Sequence, residues 1–253
     1  MAEIKGFFFD QDGVIIDTER DGHRVAFNRA FAEFGFEVEW DVETYRRLLR
    51  IGGGKERMKH YLHQIGFGKP VSGEEEDGLI KRLHKRKTDL FISLIESGKL
   101  PIRPGVRRFM SEVNELGLVL GICTTSNERA AEVIAYAILA EIHFAFVLAG
   151  DVVSRKKPDP EIYQLALKRS GLEPDQCVVI EDSYNGVQAA KDAGMFVLAT
   201  PNPYTEHEDL SRADLVVSCL GDPQGEQGKL RRGEELNFDG VLHARQLMEY
   251  FSR

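Results

Sequence analysis

Ile4-Lys5-Gly6-Phe7-Phe8-Phe9-Asp10-Gln11-Asp12-Gly13-Val14 decides the fold. A short apolar run stops abruptly at an aspartate. Such a run marks a strand buried on both faces, as in a parallel sheet that delivers its next residues to a sheet edge. Two carboxylates, two residues apart, leave that strand and a glycine follows. Charges emerging from a core need water, a partner or a metal. The residues alone leave open a solvated turn and a chemical site.

Working outward, further short apolar runs occur at 118–123, 144–148, 178–180, 196–199 and 215–218. Helical patterns separate most of them. Val106, Phe109, Met110, Val113 and Leu116 recur at helical spacing and Gly117 stops that helix. Ile162, Leu165 and Ala166 mark another after Pro160. This alternation predicts an α/β fold, a Rossmann-like doubly wound parallel sheet. One stretch breaks the rhythm: from about 18 to 98 there are helical stripes and no convincing strand. Phe27, Phe31 and Phe34 form one stripe, ended by Gly35; Asp41 reads as an N-cap. Met58, Leu62 and Ile65 form another. Leu79, Leu83, Leu90 and Leu94 suggest a helix of roughly four turns. The expectation is a core from 1–17 and 99–253 carrying a helical insert, 18–98, with hinges near Asp17 and at Gly98 to Pro101. The polar, glycine-rich stretch 221–237 reads as a surface loop before the last helix.

Composition narrows the classes. The chain has 253 residues, 42% hydrophobic and 29% charged, which gives volume for a hydrophobic core and argues against wholesale disorder. A net charge of −8 disfavours nucleic acid and anionic membranes as partners. Cys123, Cys177 and Cys219 form no C-x-x-C pair, which argues against a disulfide framework or a thiolate zinc site and fits a reducing compartment. No apolar run is long enough to span a bilayer. The expectation is a cytoplasmic protein, or a plastid one if a transit peptide has been removed.

Three more motifs resemble the first in placement. Gly121-Ile122-Cys123-Thr124-Thr125-Ser126-Asn127 ends an apolar strand in hydroxyls and an amide before a helix. That suits an anion site at a helix start, and equally an ordinary N-cap. Lys156-Lys157-Pro158-Asp159-Pro160 opens a helix; an ammonium there could neutralise phosphate or sit in solvent. Val178-Val179-Ile180-Glu181-Asp182-Ser183, then Asn185-Gly186, repeats the design of a buried strand ending in paired carboxylates. Carboxylates from two strand ends suit Mg²⁺. Together the motifs place carboxylates, hydroxyls and a lysine at the carboxyl ends of parallel strands, where open α/β sheets bind ligands.

The order of these motifs resembles the haloacid dehalogenase superfamily, and the helical insert resembles the cap of its β-phosphoglucomutase-like branch. The stretches Asp17-Thr18-Glu19-Arg20-Asp21-Gly22-His23-Arg24, Trp40-Asp41-Val42 and Gly52-Gly53-Gly54-Lys55-Glu56-Arg57-Met58 are similar to CbbY-type proteins, a group that includes xylulose-1,5-bisphosphate phosphatases. The resemblance implies that Asp10 is a nucleophile forming an aspartyl-phosphate and Asp12 a general acid and base. It implies Mg²⁺ on Asp10, the Asp12 carbonyl and Asp182, with Glu181 bound or close by. Thr124, Thr125 and Lys157 would hold phosphate. The dehalogenases proper lack an aspartate at the position of Asp12, so Asp12 points to phosphate chemistry. A P-loop is excluded, because Lys55 precedes Glu56 rather than a hydroxyl residue and the upstream glycine position is Leu49.

The substrate-binding candidates are Glu19, His23, Tyr45, Gly54, Lys55 and Arg57 in the insert, with Glu56 beside them, and Ser126 and Asn127 in the core. A glycine run before two cations could bind a second phosphate, or be a loop with both cations solvated. The expected activity is a Mg²⁺-dependent phosphatase, acting on a sugar bisphosphate such as xylulose 1,5-bisphosphate, with cap closure excluding water. The expected partner is a phosphorylated small molecule, and the chain is expected to be a monomer. A sugar-phosphate mutase of the β-phosphoglucomutase type and a non-catalytic phosphate-binding regulatory module remain as alternatives.

Overall fold

The computed structural model of the protein describes residues 3–51, 53–71, 73–98, 100–233 and 235–252, and the description of side chains omits residues 20, 73 and 74. Gly52 of the glycine run, the Arg20 side chain and Lys99 at the second hinge lie outside the described residues. The chain divides into two compact units, Met1–Asp17 with Pro101–Arg253, and Thr18–Leu100.

The apolar runs form one sheet. Its strands are β1 (Gly6–Phe9), β2 (Val119–Cys123), β3 (Phe146–Leu148), β4 (Cys177–Glu181), β5 (Phe196–Ala199), β6 (Leu215–Val217) and β7 (Leu230–Arg232), in the order β3-β2-β1-β4-β5-β6-β7. Every pairing up to β6 is parallel. The first strand is therefore central, and its four residues are wholly buried. Phe9 pairs with Ile122 of β2 on one side and Ile180 of β4 on the other. That register sets Asp10 level with Cys123 and Glu181, with Thr124 one residue beyond the end of β2. The expected loop over 221–237 contains β7, which pairs antiparallel with β6. Its leucine is half-buried and both arginines are exposed. A charged edge strand of this kind lacks the apolar run that reveals a buried strand.

The unit Thr18–Leu100 is helical. A π-helical turn, Glu19–His23, leads into α1 (Arg24–Glu33), followed by α2 (Val42–Leu48), α3 (Gly54–Gln64) and α4 (Gly73–Glu96). Phe27 and Phe31 are buried in α1, and the chain turns at Gly35 with φ +73°. Both rings pack on Trp40, at centroid distances of 4.7 and 5.0 Å. Asp41 caps α2, accepting a 2.6 Å hydrogen bond from the Thr44 amide. The stripe on α3 ends earlier than its pattern suggests: Met58 is buried, but Ile65 is 68% exposed, because the helix has ended and turned away from the core by that residue. Helix α4 has 24 residues, about 36 Å, rather than four turns. Its buried seam runs through Leu79, Leu83, Lys87, Phe91 and Ile95 at a spacing of four, while Leu90 and Leu94 are half-buried.

In the other unit α5 (Val106–Glu115), α6 (Glu128–Val133), α7 (Glu161–Ser170), α8 (Tyr184–Asp192) and α9 (Ala244–Phe251) accompany the sheet. Phe109 of α5 meets Phe7 edge-on, with ring centroids 5.3 Å apart. On the opposite face Phe8, Cys123, Ile162, Tyr163, Ala166, Val179 and Val187 form a continuous core. The three cysteines are buried and free, acting as small apolar residues. Among the described residues no helix is long and apolar enough to cross a membrane.

Candidate active site

Asp10 follows β1 directly, Glu181 ends β4 and Asp182 follows it, so two adjacent parallel strands deliver three carboxylates to one place. One ligand oxygen from each lies within 4.8 Å of the others, and all three residues are buried. Lys157, from the loop ahead of α7, reaches into this group. Its ammonium donates to Asp10 Oδ1 at 2.5 Å, Glu181 Oε1 at 2.6 Å and the Cys123 carbonyl at 2.9 Å. One ammonium against three carboxylates leaves an excess of negative charge. Burial, with the Glu181 charge, raises Asp10 to about 8 against the opposing pull of Lys157. Burial likewise raises Asp182 well above the usual carboxylate range. Against its own burial, the charges of Asp10 and Glu181 hold Lys157 above the ordinary lysine value. A cluster of hard oxygens that resists ionising without further positive charge fits a small divalent cation.

Glu181 is more constrained than its two neighbours. Oε1 also accepts a 2.5 Å hydrogen bond from the Tyr163 hydroxyl, and Oε2 accepts from the Asp182 amide at 3.2 Å. Burial holds the Tyr163 phenol well above its usual pKa, so it stays a donor. Helix α8 passes so close that a Cβ on Gly186 would lie 2.0 Å from the Glu181 carboxylate, which explains the glycine. Asp12 is half-buried on the loop after β1, a turn closed by Gly13 N to Ile16 O at 2.8 Å and Ile15 N to Gln11 O at 2.9 Å.

Thr124 is buried beyond β2, and its hydroxyl accepts from the Ser126 amide at 3.1 Å. Thr125 and Ser126 are half-buried, and Asn127 is exposed. The Asn127 carboxamide oxygen accepts from the Ala130 amide, so this side chain is the N-cap of α6. In the helical unit, Tyr45 donates to Glu19 Oε2 at 2.6 Å, Arg57 donates to the Tyr45 hydroxyl at 3.4 Å, and Arg57 Nε donates to the Ile51 carbonyl at 2.9 Å. These three candidates therefore form one cluster. Gly54 lies against His84 and Phe27, and a Cβ there would sit 2.9 Å from His84 Nε2. Lys55 and Glu56 are exposed. His23 is buried, stacked on Phe91 with centroids 3.8 Å apart, and its Nδ1 lies 2.8 Å from the Lys87 ammonium nitrogen.

A family model for haloacid dehalogenase-like hydrolases matches residues 4–194. A CBBY-like protein of Arabidopsis thaliana is 46% identical over 87% of this chain and 70% of its own length. Protein CbbY of Cereibacter sphaeroides is 37% identical over 89% of this chain and 96% of its own. The chain is a haloacid dehalogenase-like hydrolase of the CbbY family. Among solved structures, a CbbY variant from Rhodobacter sphaeroides in complex with xylulose-(1,5)bisphosphate matches with a TM-score of 0.75 and 37% identity, covering 85% of this chain and 94% of that one. For a CbbY-family hydrolase the acidic cluster on β1 and β4 stands where the sequence motifs placed it.

In each of the two units, residues that contact these candidates were not singled out in the sequence. Lys87 had a readable signal, a lysine on an apolar stripe between Leu83 and Phe91. Tyr163 reads as an ordinary core aromatic, and its hydroxyl contact depends on how α7 lies on β4. Asn202 and Thr205, which donate to Asp182 Oδ2, and Arg103, which donates to the Gly13 carbonyl, carry no local pattern at all.

Proposed function

We propose that this chain is a Mg²⁺-dependent phosphatase for a small phosphorylated sugar, a sugar bisphosphate such as xylulose 1,5-bisphosphate, acting through an aspartyl-phosphate on Asp10. The observation that carries the reading is the buried meeting of Asp10, Glu181, Asp182 and Lys157 at the carboxyl ends of β1 and β4, with a second aspartate two residues beyond Asp10.

Mg²⁺ held by Asp10, Asp182 and the Asp12 carbonyl, with Glu181 alongside, supplies positive charge to the phosphoryl oxygens. The chain's residues do the rest. A carboxylate oxygen of Asp10 attacks phosphorus, and the bond from phosphorus to the sugar oxygen breaks. Asp12 gives its proton to that departing oxygen. Asp12 then takes a proton from water, the water oxygen attacks the phosphorus, and inorganic phosphate leaves with Asp10 regenerated. Lys157 favours the ionised form of Asp10, a pull that the cation's charge would complete, and with Thr124 and Thr125 holds the phosphoryl group. Placing the catalytic aspartates in different surroundings lets one act charged and the other protonated.

Glu19, His23, Tyr45, Gly54, Lys55 and Arg57 are the proposed sugar and second-phosphate contacts, with Ser126 and Asn127 from the core unit. The exposed Lys55 and the Glu19–Tyr45–Arg57 cluster support this assignment. The relative crystallised with xylulose-(1,5)bisphosphate supports the substrate class. Membership of a hydrolase family sets aside the non-catalytic module. The test is a screen of phosphorylated sugars for phosphate release with and without Mg²⁺. Release of phosphate from xylulose 1,5-bisphosphate, lost with chelator, is the expected outcome. Interconversion of sugar-phosphate isomers without release would point to a mutase instead.

A further inference from the structure

The two oxygens of Asp182 are treated differently. Oδ2 accepts a 2.7 Å hydrogen bond from Asn202 Nδ2 and a 3.3 Å hydrogen bond from the Thr205 hydroxyl. No hydrogen bond to Oδ1 is found among the described residues.

Asn202 is itself fixed. Its Oδ1 accepts from the Tyr204 amide at 2.8 Å, and its own amide donates to Thr205 Oγ1 at 3.0 Å. The Thr205 oxygen accepts there, so its hydroxyl proton is left for Asp182. The Asn202 carbonyl closes the turn by accepting from Thr205 N at 3.0 Å and Glu206 N at 2.9 Å. Both side chains are buried, at 4% and 8% exposure.

Behind this turn lies Arg103. Its buried guanidinium donates to the Gly13 carbonyl, to Thr200 O at 2.6 Å, Pro201 O at 3.2 Å and Ser218 O at 2.9 Å. It thereby ties together the loops after β1, β5 and β6, and brings positive charge near Asp182. Gly13, at φ +86°, closes the packing: a Cβ there would lie 2.4 Å from Asp182 Oδ2 and 2.6 Å from Asn202 Nδ2. Loops after β1 and β5 thus converge on one oxygen of the carboxylate that follows β4.

We propose that Asn202 is a positioning residue: its amide nitrogen, supported by Thr205 and by the loop that Arg103 pins, ties Oδ2 of Asp182 so that Oδ1 alone faces a divalent cation. This rests on the cation-dependent reading given above. A carboxylate with one oxygen held presents a single ligand atom in a fixed plane, the mode that a small octahedral ion accepts. Partners that orient metal ligands in this way commonly change affinity by ~10–100-fold when removed.

Mg²⁺ is titrated by calorimetry into metal-stripped full-length protein, for wild type, Asn202→Ala and Thr205→Val, and each melting temperature is measured in chelator. The expected result is Mg²⁺ binding weakened by ~10–100-fold in Asn202→Ala. A smaller loss in the same direction is expected for Thr205→Val, which removes only a hydroxyl, and turnover in both should climb back as Mg²⁺ is raised. A folded Asn202→Ala protein with wild-type Mg²⁺ affinity overturns the proposal. So does a loss of turnover that excess Mg²⁺ does not restore. Should Asn202→Ala fail to fold, unchanged Mg²⁺ affinity in Thr205→Val overturns it. Absence of Mg²⁺ binding in the wild type removes the cation reading itself, a failure separate from wild-type binding that the variants leave unaltered.

Discussion

The Glu181 carboxylate shows how much a single residue depends on its surroundings. It is fully buried yet accepts from Lys157, Tyr163 and the Asp182 amide, which offsets the cost of its desolvation. Tyr163→Phe deletes one of these donors and leaves Glu181 under-satisfied. It is expected to lower stability by about 1–3 kcal/mol in urea denaturation and to lower turnover, with no change in the KM for a generic phosphomonoester. Asp12→Asn removes the proposed proton donor and should lower kcat by ~10²–10⁴, with less effect on a substrate whose leaving group is already acidic, a comparison steady-state assays make directly. Asp10 and Asp182 were legible as charge at the end of an apolar strand, and Lys157 through the motif that opens α7. Tyr163, Arg103 and Asn202 were not. Each makes its decisive contact with a distant part of the chain, as Arg103 does with the Thr200 and Ser218 carbonyls, and no local spacing encodes that.

Among the elements, the buried parallel strands announced themselves through apolar runs, whereas their order in the sheet is known from the structure alone. The polar edge strand β7 gave no such run, and the Met58–Leu62 stripe did not reveal that α3 stops before Ile65. The loop ahead of α7 shows how an element positions a buried charge, Lys157. Glu161, in the first turn of α7, accepts from the backbone amides of Ser154 and Arg155 at 3.1 and 2.9 Å and so braces the segment that leads to Lys157. Those backbone hydrogen bonds hold its carboxyl down to about 2, from an ordinary 4.5. A carboxylate with a depressed folded pKa stabilises the fold above its unfolded pKa and loses that contribution as pH falls through the folded value. The stability difference between wild type and Glu161→Gln, measured by denaturant unfolding, should therefore be constant above pH 4.5 and shrink as pH falls toward about 2. A difference independent of pH across that window would count against the brace.

Across the whole molecule, two units divide the labour. The α/β unit holds the groups that the proposed function assigns to phosphoryl transfer, which nearly any phosphomonoester could use. The helical unit holds the Glu19–Tyr45–Arg57 cluster, which the proposed function assigns to substrate selection. Arg57→Ala should raise KM for a sugar bisphosphate strongly while leaving p-nitrophenyl phosphate hydrolysis nearly unchanged; equal effects on both substrates would contradict the assignment. The division into a core and a helical insert was visible in the sequence as a change of periodicity. Glu19, Tyr45 and Arg57 were each singled out through the resemblance, but their mutual contact was not readable, because they come from different helical segments. The most direct measurement is phosphate release from xylulose 1,5-bisphosphate by wild type and Asp10→Asn, each followed through a Mg²⁺ titration. Saturable, Mg²⁺-dependent release by the wild type, and none by the well-folded, Mg²⁺-supplied variant, is the result predicted. Equal release by Asp10→Asn, or release by the wild type that is indifferent to Mg²⁺, would contradict the account.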